Sequence, residues 1–197
     1  MTSSLPRVPV TDVSTDVRRE TAAGARMAAE ELVSLGHRRI AAIFGPAHTS
    51  TGRDREQGFQ AALADAGVPL PAKRVRRGPF AYETGRRALH ELLTGTAQPT
   101  AIFCGNDVIA IGALNAAREA GVAVPGELAV IGFDDIAMAA WPLFALSTVR
   151  QDLAAMAETA IELLFARVAK PQRPLQRVTV PTTLVRRRSH GPARPAR

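Results

Sequence analysis

The chain has 197 residues, 46% of them hydrophobic and 22% charged, which is the balance of an ordinary soluble globular protein with room for one sizeable core, or one core and part of a second. No apolar stretch is long enough to span a bilayer, the segment from Met1 to Pro9 lacks a secretory signal, and the single cysteine, Cys104, excludes an internal disulfide, so the expected location is the cytoplasm. The net charge of +7 raises nucleic acid as a partner, but Arg186, Arg187, Arg188, Arg194 and Arg197 supply five of the seven, and a tail that also holds Gly191, Pro192 and Pro195 reads as disordered before it reads as a DNA grip.

In chain order, Ala25, Ala28, Ala29, Leu32 and Val33 follow helical spacing, with Gly36 as a stop. Ile40 to Phe44 is a short apolar run ending at Gly45-Pro46. Phe59, Ala62, Leu63 and Ala66 form a second helical stripe, and Arg74 to Arg77 a weak strand. Gly85, Ala88, Leu89, Leu92 and Leu93 form a third stripe before the run Thr100 to Cys104. Val108 to Ala117 is apolar almost all round, which calls for burial on more than one side. Leu128 to Phe133 is another apolar run, and Leu153 to Val168 carries the longest stripe. Pro171 to Pro174 reads as a turn before a last strand over 176–185, in which Pro181 implies an edge position or a break. Apolar runs that alternate with amphipathic helices predict a doubly wound α/β fold with a parallel sheet.

In such a sheet, ligands bind beyond the carboxyl ends of the strands. The loops that begin at Gly45, Phe80, Asn106 and Asp134 should therefore share one edge. Arg55, one turn before Phe59 on its helix, should lean over that edge. Arginine offers a planar fork, asparagine both donates and accepts, and an ionised aspartate accepts. Together they suit the hydroxyl edge of a sugar or a polar heterocycle, with Phe80 stacked on its apolar face. Plainer roles stand beside these. Asn106, Asp107, Asp134 and Asp135 equally serve as caps or turn formers. Phe80 equally serves as core, Arg55 as a surface partner of Asp54 or Glu56, and Thr49, Ser50 and Thr51 as loop hydrogen-bonders. No dinucleotide fingerprint, P-loop, nucleophile elbow or metal-ligand spacing is present, and no cofactor is expected.

Several motifs in series carry a resemblance. They are Leu35-Gly36-His37-Arg38-Arg39-Ile40-Ala41 with Gly45-Pro46, then Arg55 with Gly58-Phe59-Gln60-Ala61-Ala62-Leu63, and Tyr82-Glu83-Thr84-Gly85. Pro99 to Phe103, Asn106-Asp107, Val124-Pro125, Val130 to Ile136 and Leu146 to Gln151 complete the set. From about Asp12 to Ser189 the chain resembles the LacI/GalR regulators. The resemblance implies a periplasmic-binding-protein-like sensor of type I that binds a small effector between two lobes and works as a homodimer. It assigns effector contacts to Arg55, Asn106 and Asp134, an aromatic contact to Phe80, and polar contacts to Thr49 and Thr51. Operator DNA would be bound only through an N-terminal module that precedes the matched stretch.

The same comparison divides the chain. Residues 1–36 are expected to be a remnant of the first lobe, with a strand near Val8 to Val13 and a helix. Residues 37–147 form the second lobe, 148–175 a crossover and first-lobe helix, 176–189 a returning strand, and 190–197 a disordered basic tail. Ala145 departs from the family's frequent proline, and apolar surface should be left uncovered around Leu153, Met156, Ile161 and Leu164. A transporter's solute-binding protein shares this architecture, but no export signal is seen. A sugar-modifying enzyme would need an acid–base pair or metal cluster, and none is evident in the sequence.

Overall fold

The elements run β1 (Asp16–Arg19), α1 (Thr21–Ser34), β2 (Ile40–Phe44), α2 (Ser50–Asp65), β3 (Val75–Arg77), α3 (Tyr82–Leu93), β4 (Ala101–Cys104), α4 (Asp107–Glu119), β5 (Ala129–Asp134), β6 (Ser147–Gln151), α5 (Leu153–Ala169), β7 (Arg177–Val180) and β8 (Thr182–Val185). The structure, a computed structural model, describes residues 16–95, 97–174 and 177–193. The chain divides into two units. Unit 1 takes the chain up to Arg19 together with Asp152–Val180, and unit 2 takes Glu20–Gln151 with Pro181 onward.

Unit 2 is built on a six-stranded sheet in the order β3-β2-β4-β5-β6-β8, parallel except for the antiparallel edge strand β8. Side chains alternate across the strands, so each apolar run feeds two cores. Ile40, Ala42 and Phe44 join Phe103, Phe133 and Val149 under α1 and α2. Ala41 and Ile43 join Ile102, Cys104 and Val130 under α3 and α4. Both faces are covered, which is why the strands are continuously apolar. The rings of Phe59 and Phe103 stack with centroids 4.5 Å apart and seal the first core. On the other face α3 and α4 press together at Gly85, where a Cβ would stand 1.9 Å from the Ile109 carbonyl oxygen. The all-apolar character of α4 is thus used inside unit 2: Ile109, Ala110, Ile111, Ala113, Ala116 and Ala117 are all buried there.

Unit 1 contains the parallel pair β1–β7, with α5 packed on it. No residue of α5 is fully buried. Leu153, Ile161, Leu164, Phe165 and Val168 are exposed, and Met156 is half-buried.

Four expected boundaries change. Helix α1 belongs to unit 2 and not to a first-lobe remnant, because Ala25, Ala28, Ala29 and Leu32 are part of the core under α1 and α2. The strand near Val8 to Val13 lies outside the described residues. Residues 148–151, read as the start of a crossover, continue from Ser147 as the largely buried strand β6. The returning strand of 176–189 is two strands parted at Pro181, with β7 in unit 1 and β8 on the edge of the unit 2 sheet; a proline supplies no N–H for a continuous ladder. Residues 190–193, assigned to a disordered tail, are hydrogen-bonded to unit 2: Ala193 N donates to Leu35 O, and His37 Nε2 lies 3.0 Å from Gly191 O. Residues 194–197 lie outside the described residues. Ala145 has φ +40°, which the proline ring cannot adopt, and its carbonyl accepts from Arg188 N.

Candidate functional site

The carboxyl ends of β2 to β6 gather around one guanidinium. Arg55, on the buried face of α2, is 3% exposed. Its Nη1 donates to Gly105 O beyond β4, and its Nη2 donates to Asp134 Oδ1 at 2.7 Å at the end of β5. Its Cζ lies 3.8 Å from the Phe133 ring centroid and 5.8 Å from that of Phe80. The half-buried Phe80 ring in turn lies on Gly45, where a Cβ would stand 2.1 Å from Phe80 Cζ. Only glycine leaves room for that ring. The four distant loops therefore do meet on one edge, and Arg55 leans into them instead of pairing with Asp54 or Glu56.

The polar residues divide by use. Thr49 caps α2, accepting from Gly52 N and donating to Pro46 O. Asn106 caps α4 through Oδ1, which accepts from Ile109 N at 2.9 Å. Their plainer roles are thus fulfilled, although among the described residues the Asn106 Nδ2 group donates to nothing. Thr51 stands half-buried in the first turn of α2. Asp134 is no cap: its Oδ1 accepts from both Arg55 and Gln151 Nε2, each at 2.7 Å, while its side chain stays 32% exposed. Asp134 and Asp135 have φ of +113° and +55°. Such backbone in non-glycine residues costs about 1–3 kcal/mol each and concentrates at functional sites.

Beneath the rim lies Asp107, fully buried. Its Oδ1 accepts from Thr148 Oγ1 at 2.5 Å and its Oδ2 from Ile136 N at 2.9 Å. Burial pushes its carboxyl up to about 7, against the pull of those two hydrogen bonds. It therefore braces β6 and the loop after β5 and is not the α4 cap, which is Asn106. Asp135 lies between Arg150 Nε at 2.5 Å and Arg187 Nη2 at 2.7 Å; the second contact has ion-pair distance without hydrogen-bond alignment.

Gln151, Arg150 and Arg187 are neighbours of Asp134 and Asp135 that reasoning from apolar runs and their following loops does not select. The signal for Gln151 was present, as a polar residue ending Leu146 to Gln151, but Ser147-Thr148 hides a strand from an apolar-run criterion. Burial raises the thiol pKa of Cys104, so it is a core residue and not a nucleophile. Among the described residues no group of three or more His, Cys, Asp or Glu side chains is placed to hold a metal ion, and no helix is long and apolar enough to cross a membrane.

The amino edge of the same sheet holds a second polar cluster. Ser147 Oγ lies 2.7 Å from His190 Nδ1, and His190 Nε2 lies 3.1 Å from Glu31 Oε1. The order resembles a charge relay, but Ser147 is fully buried and its Oγ also accepts from Arg187 N, so no substrate reaches it. A hollow of about 440 Å³ opens at this edge too, lined by Leu114, Val124, Phe144, Arg118 and Arg188 among others. It shares no lining residue with the Arg55 rim, and Met138, Trp141 and Leu143 are exposed in the segment that borders it.

Comparison with known proteins is consistent with this geometry. A family model, the periplasmic binding protein-like domain, matches residues 29–190. The HTH-type transcriptional repressor PurR of Photorhabdus laumondii is 40% identical over 166 residues, which is 84% of this chain and 49% of that protein. The chain thus spans about half the length of the curated relatives it matches. A regulatory protein of the LacI family from Chloroflexus aggregans superposes with a TM-score of 0.86 at 38% identity, over 93% of this chain and 66% of that one. The regulator CelR in complex with cellobiose gives 0.84 at 33% identity, over 93% and 56%. The chain belongs to the periplasmic binding protein-like domain family, in the branch carried by LacI/GalR-type regulators.

Proposed function

We propose that the chain is the effector-sensing domain of a LacI/GalR-type transcription regulator, and that its effector is a small polar ring, a sugar or a nucleobase, seated on the Arg55 rim. The observation that carries this is the Asp134 carboxylate. One oxygen is fixed by Arg55 and Gln151, and the other remains an acceptor on a partly exposed side chain at a strained backbone position. The half-buried face of Phe80 suits the apolar side of a ring, and Asn106 Nδ2 suits an acceptor on it. Thr51 is the nearer of the two threonines to a free ligand contact, since the Thr49 hydroxyl is spent on its cap. The relatives, which are transcription regulators, favour binding over catalysis at this rim. The relatives favour a regulator over a transporter's solute-binding protein.

On this reading the domain works in the cytoplasm and as a homodimer. Operator DNA is held by a part of the regulator other than this domain, and effector binding shifts the equilibrium of the whole regulator. The apolar helix α4 gives no support to the dimer, since it is consumed inside unit 2. The support is instead the exposed trio Met138, Trp141 and Leu143 at the hollow lined by Leu114, Phe144, Arg118 and Arg188.

Calorimetric titration with neutral pentoses, hexoses, disaccharides, purine bases and phosphate tests the site. At least one neutral ring ligand should bind with one site per chain, and Asp134→Asn should abolish that binding in a protein that stays folded by circular dichroism. Binding that survives both Asp134→Asn and Asn106→Ala would place the effector elsewhere.

A further inference from the structure

Asp107 is the first residue of α4, yet Asn106 caps that helix and the Asp107 side chain turns to the neighbouring strands. The fully buried carboxyl fills a slot on β5. A Cβ on Gly132 would stand 2.3 Å from Asp107 Oδ1 and 3.1 Å from Leu146 Cδ2, so the glycine leaves the carboxyl its place. Its two oxygens go to different partners. Oδ1 accepts from Thr148 Oγ1 on β6, and Oδ2 accepts from Ile136 N in the loop after β5. All of these residues belong to unit 2.

Ile136 directly follows the positive-φ pair Asp134-Asp135. The other anchors of that pair grip side chains: Arg55 and Gln151 hold the Asp134 carboxylate, and Arg150 holds that of Asp135. Asp107 grips the backbone itself, one residue beyond the pair. Backbone in this region persists only where its surroundings over-determine it. We propose that Asp107 is a positioning residue of the rim: by accepting from Ile136 N, it holds Asp134-Asp135 in the conformation that presents the free Asp134 oxygen to a ligand. The role needs an acceptor at Oδ2 and not a negative charge, and it runs through Ile136 and not through Thr148. The ligand half of this inference rests on the proposed function, and the backbone half does not.

NMR spectroscopy of the full chain tests it, through the amide exchange of Ile136 and the three-bond amide–Hα couplings that report φ at Asp134 and Asp135. Calorimetry with the tightest-binding sugar or base of the panel accompanies it. Asp107→Ser keeps a polar residue at the start of α4 but is too short for Ile136 N, and Asp107→Ala removes the acceptor altogether. In either variant, Ile136 exchange measured against the amides of α3 should quicken, and affinity should fall, each by roughly ten- to a hundredfold. The two couplings should move toward extended-chain values. Asp107→Asn keeps the shape and an acceptor without the charge, and Thr148→Val removes only the second partner. Both should leave Ile136 exchange, the couplings and the affinity near wild type, even where thermal unfolding shows a changed stability. Should both shorter side chains fail to fold, these two variants still decide between an acceptor and a charge, and between Ile136 and Thr148.

Wild-type couplings and affinity in a folded Asp107→Ser or Asp107→Ala would overturn the role and leave Asp107 a matter of stability alone. Loss of either in Asp107→Asn, or in Thr148→Val, would overturn it as well. If the couplings shift as expected and no panel member binds, the positioning of Asp134 stands and the proposed function falls. If a panel member binds at Asp134 with an affinity indifferent to Asp107, the proposed function stands and the positioning falls.

Discussion

The two edges of the unit 2 sheet carry polar clusters of similar size, but the clusters are finished differently. At the amino edge His37 lies between Thr100 Oγ1 and Gly191 O, Ser189 Oγ between Val130 O and Ser147 N, and Glu31 between both Arg186 nitrogens and His190. Each side chain there ties the segment after β8 to the sheet, and the backbone carries no positive-φ pair. At the carboxyl edge Arg55 and Asp134 are paired, yet one carboxylate oxygen, the Asn106 amide and a face of Phe80 remain available, and Asp134-Asp135 is strained. A cluster that satisfies itself is a clamp. One that is held in a costly geometry with acceptors left over fits the proposed role of receiving a ligand.

The difference is breakable by substitution and by pH. The largest effect expected is from Arg55→Ala, which leaves Asp134 without its buried cation and opens space over Phe133. We expect a loss of about 3–5 kcal/mol, read by urea unfolding, together with loss of effector binding. The rim is thus part of the fold, and a mutation there is not confined to binding.

Next comes pH, with opposite signs at the two edges. Asp107 titrates at about 7 in the fold and at 3.8 as an ordinary aspartate. The native state keeps a proton that the unfolded chain releases. Its contribution is therefore greatest below about pH 4, falls as pH rises to about 7 and is level above. Asp107→Asn should remove that slope and raise stability at about pH 8 by a few kcal/mol, at about 1.4 kcal/mol per pKa unit. At the amino edge, the Arg186 hydrogen bond holds Glu31 down to about 2, from 4.5. Its contribution is full above about pH 4.5 and is lost as pH falls toward 2. Burial lowers the His37 pKa from 6.5, so that contribution is likewise full above about pH 6.5 and lost on acidification. Glu31→Gln should cost about 1–2 kcal/mol at neutral pH and flatten the acid limb. Thermal unfolding across pH separates the two limbs, and the comparison fails if both substitutions change the same one.

The smallest effect sharpens the division within the rim. Thr49→Ala should cost about 1 kcal/mol through the lost α2 cap, with Thr49→Ser restoring it and neither changing effector affinity. The resemblance assigns Thr49 a ligand contact. Its hydroxyl is already engaged here, and affinity that tracks the hydroxyl would reinstate that role.

Much of this was legible in the sequence where burial writes itself as apolar runs. β2, β4, β5 and the helices α1 to α4 follow from spacing, and the shared edge follows from parallel topology. What escaped did so for physical reasons. β6 is buried as Ser147-Thr148-Val149, with its hydroxyls satisfied by His190, Arg187 and Asp107, so burial left no apolar trace. Gln151 went with it. The assignment of α1 depended on which sheet it covers, a tertiary fact that the stripe Ala25 to Val33 does not encode. Asn106 and Asp107 are adjacent polar residues at a helix start, and either fits a cap; only coordinates separate the cap from the brace.

Amide chemical-shift mapping of the full chain, titrated with the tightest-binding sugar or purine, tests the central claim most directly. The account predicts that the perturbed residues cluster at Thr51, Phe80, Asn106, Asp134 and Gln151. Perturbations confined to His37, Thr100, Val130 and Ser189, or to the hollow beside Leu114 and Phe144, would contradict it.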